Sequence, residues 1–586
     1  MPRKGTPSRR RAPAGREQPR LFTAAMIQRA FGVPRSVIER FFPEPVYTRP
    51  SRKGGAPVRL WTREQVDRGL AHPKVAAALE RSASAAQRRE AARARVREYL
   101  ITFDIEKLRR QAETLSRRFV LHIGPTNSGK TYHAIQALEQ ARSGVYLGPL
   151  RLLALEMYDR LNRDGVPCSL LTGEESIPEE GAAHTASTIE LADYTRRYEA
   201  AVIDEAQMVT DPFRGDKWFH AIYCLDAAEI HICLAPEARE LIVRMLESFS
   251  APYTVVTHER LAPLSYAGPF RKITDAQPGD ALIVFSRRAV LAVSAELESA
   301  GIHASVIYGA LPPVSRREEV RRFAAGETTV VVATDAIGMG ISLPIRRIIF
   351  CETSKFDGRN RRSLLSGEIK QIAGRAGRYG IYPEGFVLSM AEEWRIRDGI
   401  SCPEKQKKKL TIPFPEETLA SPYPLDQLMT EWNRLPKNEA FARVDMSDAL
   451  QLYSYIKPFA KKADRKLLFR LVTCPVDVKD EHLNLYWLAC CKSILSNRPL
   501  PEPPSPAGTL EDCEARYREL DIRHQLLRRI GIEEDRMAEK LELCKAINRF
   551  LKEHKDEYLR RCRMCGRKLP ATHPFGVCDR CWNQRR

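Results

Sequence analysis

The chain has 586 residues, too many for one hydrophobic core, and a composition of 43% hydrophobic and 29% charged residues is that of a globular protein with several domains. Lys plus Arg outnumber Asp plus Glu by 94 to 74, a net charge of +20 that points to polyanionic partners and says nothing of fold. No apolar run approaches the roughly 20 residues a membrane span needs, and the first residues lack the apolar core of a secretory signal, so no membrane role is expected.

Residues 1–20, MPRKGTPSRRRAPAGREQPR, carry seven basic groups and one acid and read as a disordered basic arm. An Arg-rich, acid-poor start also fits a mitochondrial transit peptide, but the Pro and Gly content and the missing apolar face argue against one. Residues 21–80 read as a small helical domain. Two helical patterns flank Gly32-Val33-Pro34, a basic hairpin-like stretch SRKGGAPVRLW follows, and Thr62 caps a further helix with Glu64 and Gln65 just inside it. That order resembles winged or excisionase-type helix-turn-helix domains, with a structural helical cap as the equal alternative to a DNA or RNA reader. Residues 81–117 favour helix by propensity and form a linker.

From residue 119 short β-branched runs alternate with amphipathic stretches, FVLHI, VYLG, AAVIDE, EIHICL and YTVVT, the grammar of a parallel sheet covered by helices. It resets after the Pro278-Gly279-Asp280 turn and resumes with ALIVF, HASVI, TTVVVATD, RRIIFCE and GFVLSM. Two consecutive α/β domains are expected, 118–275 and 276–400. Beyond them lie a mainly helical module at 401–498, a Pro-rich linker at 499–509, charged helices at 510–557 and a cysteine-rich tail at 558–586.

Gly124, Gly129, Lys130 and Thr131, within Gly124-Pro125-Thr126-Asn127-Ser128-Gly129-Lys130-Thr131, satisfy GxxxxGK[ST] between a strand and a helix. The glycines let backbone N–H groups converge on phosphate, Lys130 sits between the β- and γ-phosphates of ATP, and the Thr131 hydroxyl holds Mg2+. AAVIDEAQMV delivers Asp204 and Glu205 to the C-terminal end of a strand, where open sheets place ligands. Asp204 reaches the magnesium through water, and Glu205 orients or deprotonates the attacking water. These features define a nucleotide hydrolase. In the second domain VVVATDAIGMGISLP places an acid and then Gly338 and Gly340 after a strand. QIAGRAGRYG puts Gln371, Arg375 and Arg378 on one face of an expected helix, a lid for a triphosphate held by the other domain.

The set GPTNSGKT, GPLRLLALEMYDRL, LTGEE, ASTIE, DEAQM, TDAIGMG and QIAGRAGR resembles superfamily-two helicases. More narrowly it looks like the ATP-dependent RNA helicases of the mitochondrial degradosome, the suppressor-of-var helicases, and their bacterial relatives. The likeness covers roughly 118–500 and implies two RecA-like motor domains. Its pattern assigns Lys130 and Thr131 to phosphate and magnesium, Asp204 and Glu205 to magnesium and hydrolysis, and Asp335, Gly338 and Gly340 to coupling the second domain to ATP and nucleic acid. Gln371, Arg375 and Arg378 complete the nucleotide site, one arginine serving as a finger. Pro149-Leu150-Arg151, Thr172-Gly173-Glu174 and Ser187-Thr188 are the family's strand-contacting positions. The motif DEAQ replaces the family's DEIQ, a change of packing rather than chemistry.

The resemblance favours RNA over DNA as the single-stranded or partly duplex partner, with a ribonuclease or repair protein as a further partner. A DNA helicase, or an ATPase that remodels protein–nucleic-acid complexes without unwinding, stays open beside it. The expected location is the bacterial cytoplasm, with the mitochondrion as the minor alternative.

The tail CRMCGRKLPATHPFGVCDRC holds Cys562, Cys565, Cys578 and Cys581 as two CxxC knuckles, a spacing suited to tetrahedral Zn2+, with Gly566 at the tight turn. His573 is superfluous once four sulfurs bind. Arg561, Arg563, Arg567, Lys568, Arg580, Arg585 and Arg586 surround the cluster, so the ribbon reads as a grip on nucleic acid or a docking surface. The other ten cysteines are scattered, which suits a reducing compartment.

Overall fold

The computed structural model describes residues 21–49, 57–101, 105–173, 175–338, 343–357, 360–378, 380–403, 405–438, 441–460, 463–506, 508–553, 555–573 and 575–584. The basic arm at 1–20, Glu174, Gly340, Arg585 and Arg586 lie outside them. The chain divides into two compact units between Tyr99 and Leu100.

The N-terminal unit is mixed rather than purely helical. Helices Ala24–Phe31 and Arg35–Phe41 meet at Gly32, whose φ of 71° closes the first of them. Strands Phe22–Thr23, Val58–Trp61 and Tyr47–Arg49 form an antiparallel sheet. Helix Arg63–Leu70 opens with a capping box in which the Thr62 and Gln65 side chains each accept or receive the other's backbone bond. Ile27, Val33, Ile38, Trp61, Val66 and Val75 make its core.

The second unit is built on two sheets. In the first, strands Tyr253–Thr257, Arg118–Ile123, Ala227–Leu234, Tyr198–Ile203, Gly144–Gly148, His184–Thr188 and Cys168–Leu171 run parallel in that spatial order, with Ser176–Ile177 antiparallel at the edge. The second sheet runs Leu264–Pro269, Gly385–Ser389, Arg347–Phe350, Asp280–Ile283, Val330–Ala333 and Ala304–Ile307, all parallel. Fully buried Val, Ile and Leu line both, as strands covered on two faces require. The expectation of two tandem RecA-like domains is borne out. The boundary expected at 275/276 moves: Leu264–Pro269 pairs with Gly385–Ser389, so the second domain begins before it and the Pro278-Gly279-Asp280 turn lies inside that domain.

Helices Leu510–Arg529 and Met537–Glu553 do not stand apart from the motor. Leu510, Cys513, Tyr517, Leu520, Leu543, Cys544, Ile547 and Leu551 share one core with Leu282, Val290, Val306 and Val332 of the second motor domain. Their buried charges are paired. Glu514 accepts from the Tyr308 hydroxyl at 2.5 Å and meets Arg287 at 2.9 Å, and Arg523 pairs with Glu534 at 2.6 Å. The Pro-rich stretch before them is a strap fixed to the first helix. Arg516 donates to the carbonyls of Pro503 (3.1 Å) and Ser505 (3.0 Å), Arg523 to that of Pro501 (2.8 Å), and buried Glu519 accepts from the Ser505 hydroxyl (2.8 Å).

Candidate active site

The strand Arg118–Ile123 ends in the glycine-rich loop, and the helix Lys130–Gln140 leaves it. Gly129, at φ 77°, turns the chain into that helix in a conformation L side chains rarely adopt. A Cβ on Gly124 would stand 2.6 Å from both the His258 carbonyl oxygen and the Ser128 hydroxyl, so only glycine fits. Lys130 is buried and lies across the loop, its Nζ 3.3 Å from the Pro125 carbonyl. Ser128 Oγ is buried with no hydrogen-bond partner, an orphaned donor within the phosphate loop. Thr126 and Asn127 continue the loop toward the second domain. Asn127 Nδ2 donates to the Gly377 carbonyl at 2.5 Å.

Asp204 is the most constrained acid of the site. Its Oδ1 accepts from the Thr131 hydroxyl at 3.2 Å and from the Glu205 N–H at 2.9 Å, and its Oδ2 accepts from the Tyr146 hydroxyl at 2.9 Å. Trp218 Nε1 donates to its carbonyl at 2.9 Å. Burial, then the neighbouring Glu205 charge, pushes its carboxyl above the usual range, while Lys130 pulls it back. A buried carboxylate and a hydroxyl within 3.2 Å of each other are oxygen donors suited to Mg2+. Glu205 sits in the left-handed region at φ 51° and is held by the side chain of Gln207, which also accepts from the Ala235 N–H at 3.1 Å.

Across the cleft, the expected helical face through Gln371, Arg375 and Arg378 is not formed. Helix Ser366–Ala373 stops at Gly374, and Arg375 and Arg378 lie in the turn beyond it. The cause is the Gly-Arg-Ala-Gly sequence: Gly377 has φ 76°, and a Cβ there would meet the Gly385 backbone nitrogen at 2.7 Å. Arg375 still reaches the cleft, donating from Nε (3.1 Å) and Nη2 (2.7 Å) to the Gly338 carbonyl, with the charges of Glu205, Glu156 and Asp204 close by. Gln371 packs beside Gly338, its Cγ 3.5 Å from where a Cβ would be. Arg378 and Arg375 act together on Glu156, whose pKa is raised by burial and drawn back by these two guanidiniums. Asp335 is placed differently. It pairs with Lys355 at 2.8 Å and lines a cavity of about 320 Å³ with Phe285, Phe356, Asp357 and Arg362.

The sequence reading missed Arg260. It stands in the connection between the two sheets and binds four carbonyls: Nε to Ala262 (2.7 Å), Nη1 to Thr126 and Gly374 (both 3.0 Å), and Nη2 to Ala376 (2.5 Å). One guanidinium thus ties the phosphate loop to the arginine turn. Tyr146 and Gln207 were also missed as ligands of the two acids. Beneath the loop runs a column of imidazoles: His122 Nδ1 meets His258 Nε2 at 3.0 Å and His122 Nε2 meets His231 Nδ1 at 2.9 Å, while Glu229 lies 2.8 Å from His231 Nε2.

The positions expected to contact the strand are already engaged. Arg151 pairs with Asp521 at 3.1 Å, and Arg528 donates to the Thr172 carbonyl at 2.7 Å. Ser187 and Thr188 are buried at the end of their strand, the Ser187 hydroxyl donating to the Thr188 carbonyl at 3.0 Å.

Cys562, Cys565, Cys578 and Cys581 bring four sulfurs within 4.8 Å of one another. Sulfurs bound tetrahedrally to one zinc at about 2.3 Å stand ~3.8 Å apart. Cys565 and Cys578 are 3.7 Å apart, so the cluster fits such an ion. The Cys578 N–H points at Cys562 Sγ at 3.3 Å, the kind of support that thiolate ligands receive.

A phosphate loop with its acids in one α/β domain, faced by arginines from a second, defines a two-domain nucleotide hydrolase of the helicase type. Residues 106–258 match the DEXQ-box helicase domain of Suv3 and residues 268–380 the helicase conserved C-terminal domain. The mitochondrial DExH-box ATP-dependent RNA helicase DExH16 of Arabidopsis thaliana is 40% identical over 387 residues, 63% of this chain and 67% of that protein. The mitochondrial ATP-dependent RNA helicase SUV3 of Oryza sativa is 39% identical over 395 residues, 63% of this chain and 66% of that protein. Human mitochondrial SUPV3L1 is 41% identical over 295 residues, 48% of this chain and 38% of its own. The chain belongs to the Suv3 family of superfamily-two ATP-dependent helicases, and it spans about two thirds of the plant relatives' length and far less of the human one's.

Among solved structures, Saccharomyces cerevisiae Dbp5 bound to RNA and ADP BeF3 has 15% identity and a TM-score of 0.39 over 51% of this chain and 88% of that one, too slight a likeness to carry weight. The expectation of a bacterial cytoplasmic location is corrected: these Suv3 relatives are all named as mitochondrial. No helix among the described residues is long and apolar enough to cross a membrane.

Proposed function

We propose that the chain hydrolyses ATP to move along single-stranded RNA and to displace the paired strand. The observation that carries this reading is the pairing of two half-sites. Lys130, Thr131, Asp204 and Glu205 gather in the first domain, and Arg375 enters the same cleft from the second, beside the charges of Asp204 and Glu205. In this reading Lys130 and the loop N–H groups hold the β- and γ-phosphates. Glu205, oriented by Gln207, takes the proton of the attacking water. Arg375 is anchored on the Gly338 carbonyl and closes the cleft, leaving Arg378 as the finger that neutralises the transferring phosphoryl. Mg2+, held by the Thr131 hydroxyl and the Asp204 carboxylate, supplies charge neutralisation across the phosphate oxygens when bound. The Suv3 relatives named as RNA helicases support RNA as the strand. Zn2+ at the four cysteines folds the tail, and the N-terminal unit, with its paired helices and hairpin strands, serves as an accessory reader of helix-turn-helix type.

The test is a strand-displacement assay with matched RNA, DNA and hybrid duplexes, run beside ATP turnover with and without single strands. RNA-stimulated turnover with release of the RNA strand supports the proposal. Stimulated turnover with no release from any duplex identifies a remodelling ATPase instead. Turnover indifferent to every nucleic acid overturns both.

A further inference from the structure

The zinc-type tail carries two large aromatic rings that its own folding does not use. Phe575 is 58% exposed and Trp582 49% exposed. Seven positions separate them in sequence, yet their planes lie within 9° of parallel with centroids 5.8 Å apart. Single exposed apolar residues are ordinary and need no explanation. Two rings brought parallel at the surface of a module too small to bury a core are different, because the cysteine cluster dictates where each stands. Phe575 lies three residues before Cys578, and Trp582 directly follows Cys581 in the short helix Asp579–Asn583. Both are fixed by backbone bonds. The Phe575 N–H donates to His573 Nδ1 at 3.2 Å, its carbonyl accepts from Arg560 Nη2 at 3.3 Å, and the Trp582 N–H donates to the Cys578 carbonyl at 2.9 Å.

The surroundings choose the occupant. Between residues 559 and 586 there are eight Lys and Arg against one acid, Asp579, and four thiolates around a zinc ion would still leave the ribbon positive. Arg563 lies along Gly576, beside Phe575: its Nε is 3.1 Å from where a Gly576 Cβ would be, and its N–H donates to the Gly576 carbonyl at 3.0 Å. Flat, rigid aromatic faces bordered by guanidiniums match bases that stack while the strand's phosphates meet the cations. An acidic protein surface would satisfy the arginines but leave the rings facing water, and an apolar protein surface would strand the arginines. The rings also cost little entropy to order, since they already stack on each other.

We infer that Phe575 and Trp582 form a base-stacking platform for single-stranded nucleic acid, with Arg563 as its phosphate contact. The platform rests on the nucleic-acid reading given above but is separable from it. It gives the chain a second hold on the strand, outside the ATP-driven cleft and indifferent to base sequence, because every base has a face to stack.

The experiment uses the full chain and a fluorescently labelled single-stranded oligouridine, titrated by anisotropy across a salt series. Trp582→Ala and Phe575→Ala should each weaken binding roughly tenfold at every salt concentration, leaving the salt slope unchanged. Arg563→Ala should weaken it less and lower the salt slope by about one. Trp582→Phe should recover most of the affinity, and metal analysis should give the same zinc content for all. Parental affinity in both alanine variants with zinc retained overturns the platform and leaves the tail to a protein partner. If an alanine variant loses zinc, the decision falls to the oligonucleotide-induced quenching of tryptophan fluorescence in the parent and in Trp582→Phe. Less quenching in the variant supports the platform, and equal quenching sinks it. RNA-stimulated turnover of the parent, measured in the same buffers, stands or falls independently and so separates failure of the platform from failure of the motor reading.

Discussion

The two halves of the nucleotide site are built on opposite plans. The half in the first domain is self-sufficient. Asp204 is fixed by Thr131, Tyr146, Trp218 and the following N–H, and Lys130 already lies over its loop. The half in the second domain is borrowed. Its arginines sit in a glycine-broken turn after the helix ends, and what steadies that turn is the Gly338 carbonyl together with Asn127 from across the cleft and Arg260 from the connection between the sheets. A site assembled this way can bind before it can react. The comparison teaches that affinity and turnover should respond to different residues.

The largest expected effect is that of Arg378→Ala. Loss of an arginine finger costs roughly 10³ to 10⁵ in rate. The variant should keep parental ATP affinity by titration and lose nearly all RNA-stimulated turnover, and Arg378→Lys should recover little because it lacks the planar fork. A parental rate would move the role to Arg375. Arg260→Ala should come next. Four charge-assisted bonds to carbonyls disappear, and the arginine turn loses its tie to the phosphate loop. Turnover should fall about 10- to 100-fold with a smaller change in KM. A rise in KM alone would show that Arg260 shapes only the loop.

The third prediction concerns the footing of the first half. Burial, then the neighbouring imidazoles, pull His122 down to about 4, and His231 and His258 are lowered as well. A histidine depressed on folding binds its proton more readily in the unfolded chain. Its contribution to stability is therefore full above about pH 6.5 and is lost as pH falls through its folded value. Asp204, raised on folding to about 6, works in the opposite sense as pH falls below that value. The net expectation is a loss of stability between pH 7 and pH 5, read from denaturant midpoints at constant ionic strength. His122→Asn should be less stable at pH 7 yet show a flatter slope. An unchanged slope would mean the column is protonated without cost. The smallest effect is Tyr146→Phe, which removes one donor from Asp204 at a cost of about 1 kcal/mol. The magnesium needed for half-maximal turnover should rise about fivefold, and no change would show that Thr131 and the backbone suffice.

How much of this could be read from the chain follows the same division. The phosphate loop and the Asp204–Glu205 pair were legible because their chemistry needs fixed residue types at fixed short spacing on a strand end. The arginine turn was half legible: the residues were found, but a helix was drawn through Gly374 and Gly377, where the close approach of Gly385 demands a break. Arg260 was invisible, since three of its four carbonyl partners lie more than a hundred positions away and no local pattern marks it. The edge strand Leu264–Pro269 was lost for a related reason. It carries Gly268 and Pro269, and its residues are only partly covered, so neither alternation nor a buried run announces it. The charged helices after residue 510 likewise hide an apolar face among ions that are paired inside the protein rather than bathed in water.

The helix Leu510–Arg529 has unequal moorings. Toward the second motor domain it is held by an apolar core, which yields only by exposing oily surface. Toward the first it is held by Asp521 on Arg151 and Arg528 on the Thr172 carbonyl, bonds that water can replace one at a time. When the cleft opens, the helix must ride with the second domain and let go of the first. On such an opening it would act as the pawl of an escapement, rigid on its own wheel and catching the other by teeth that can disengage and reseat.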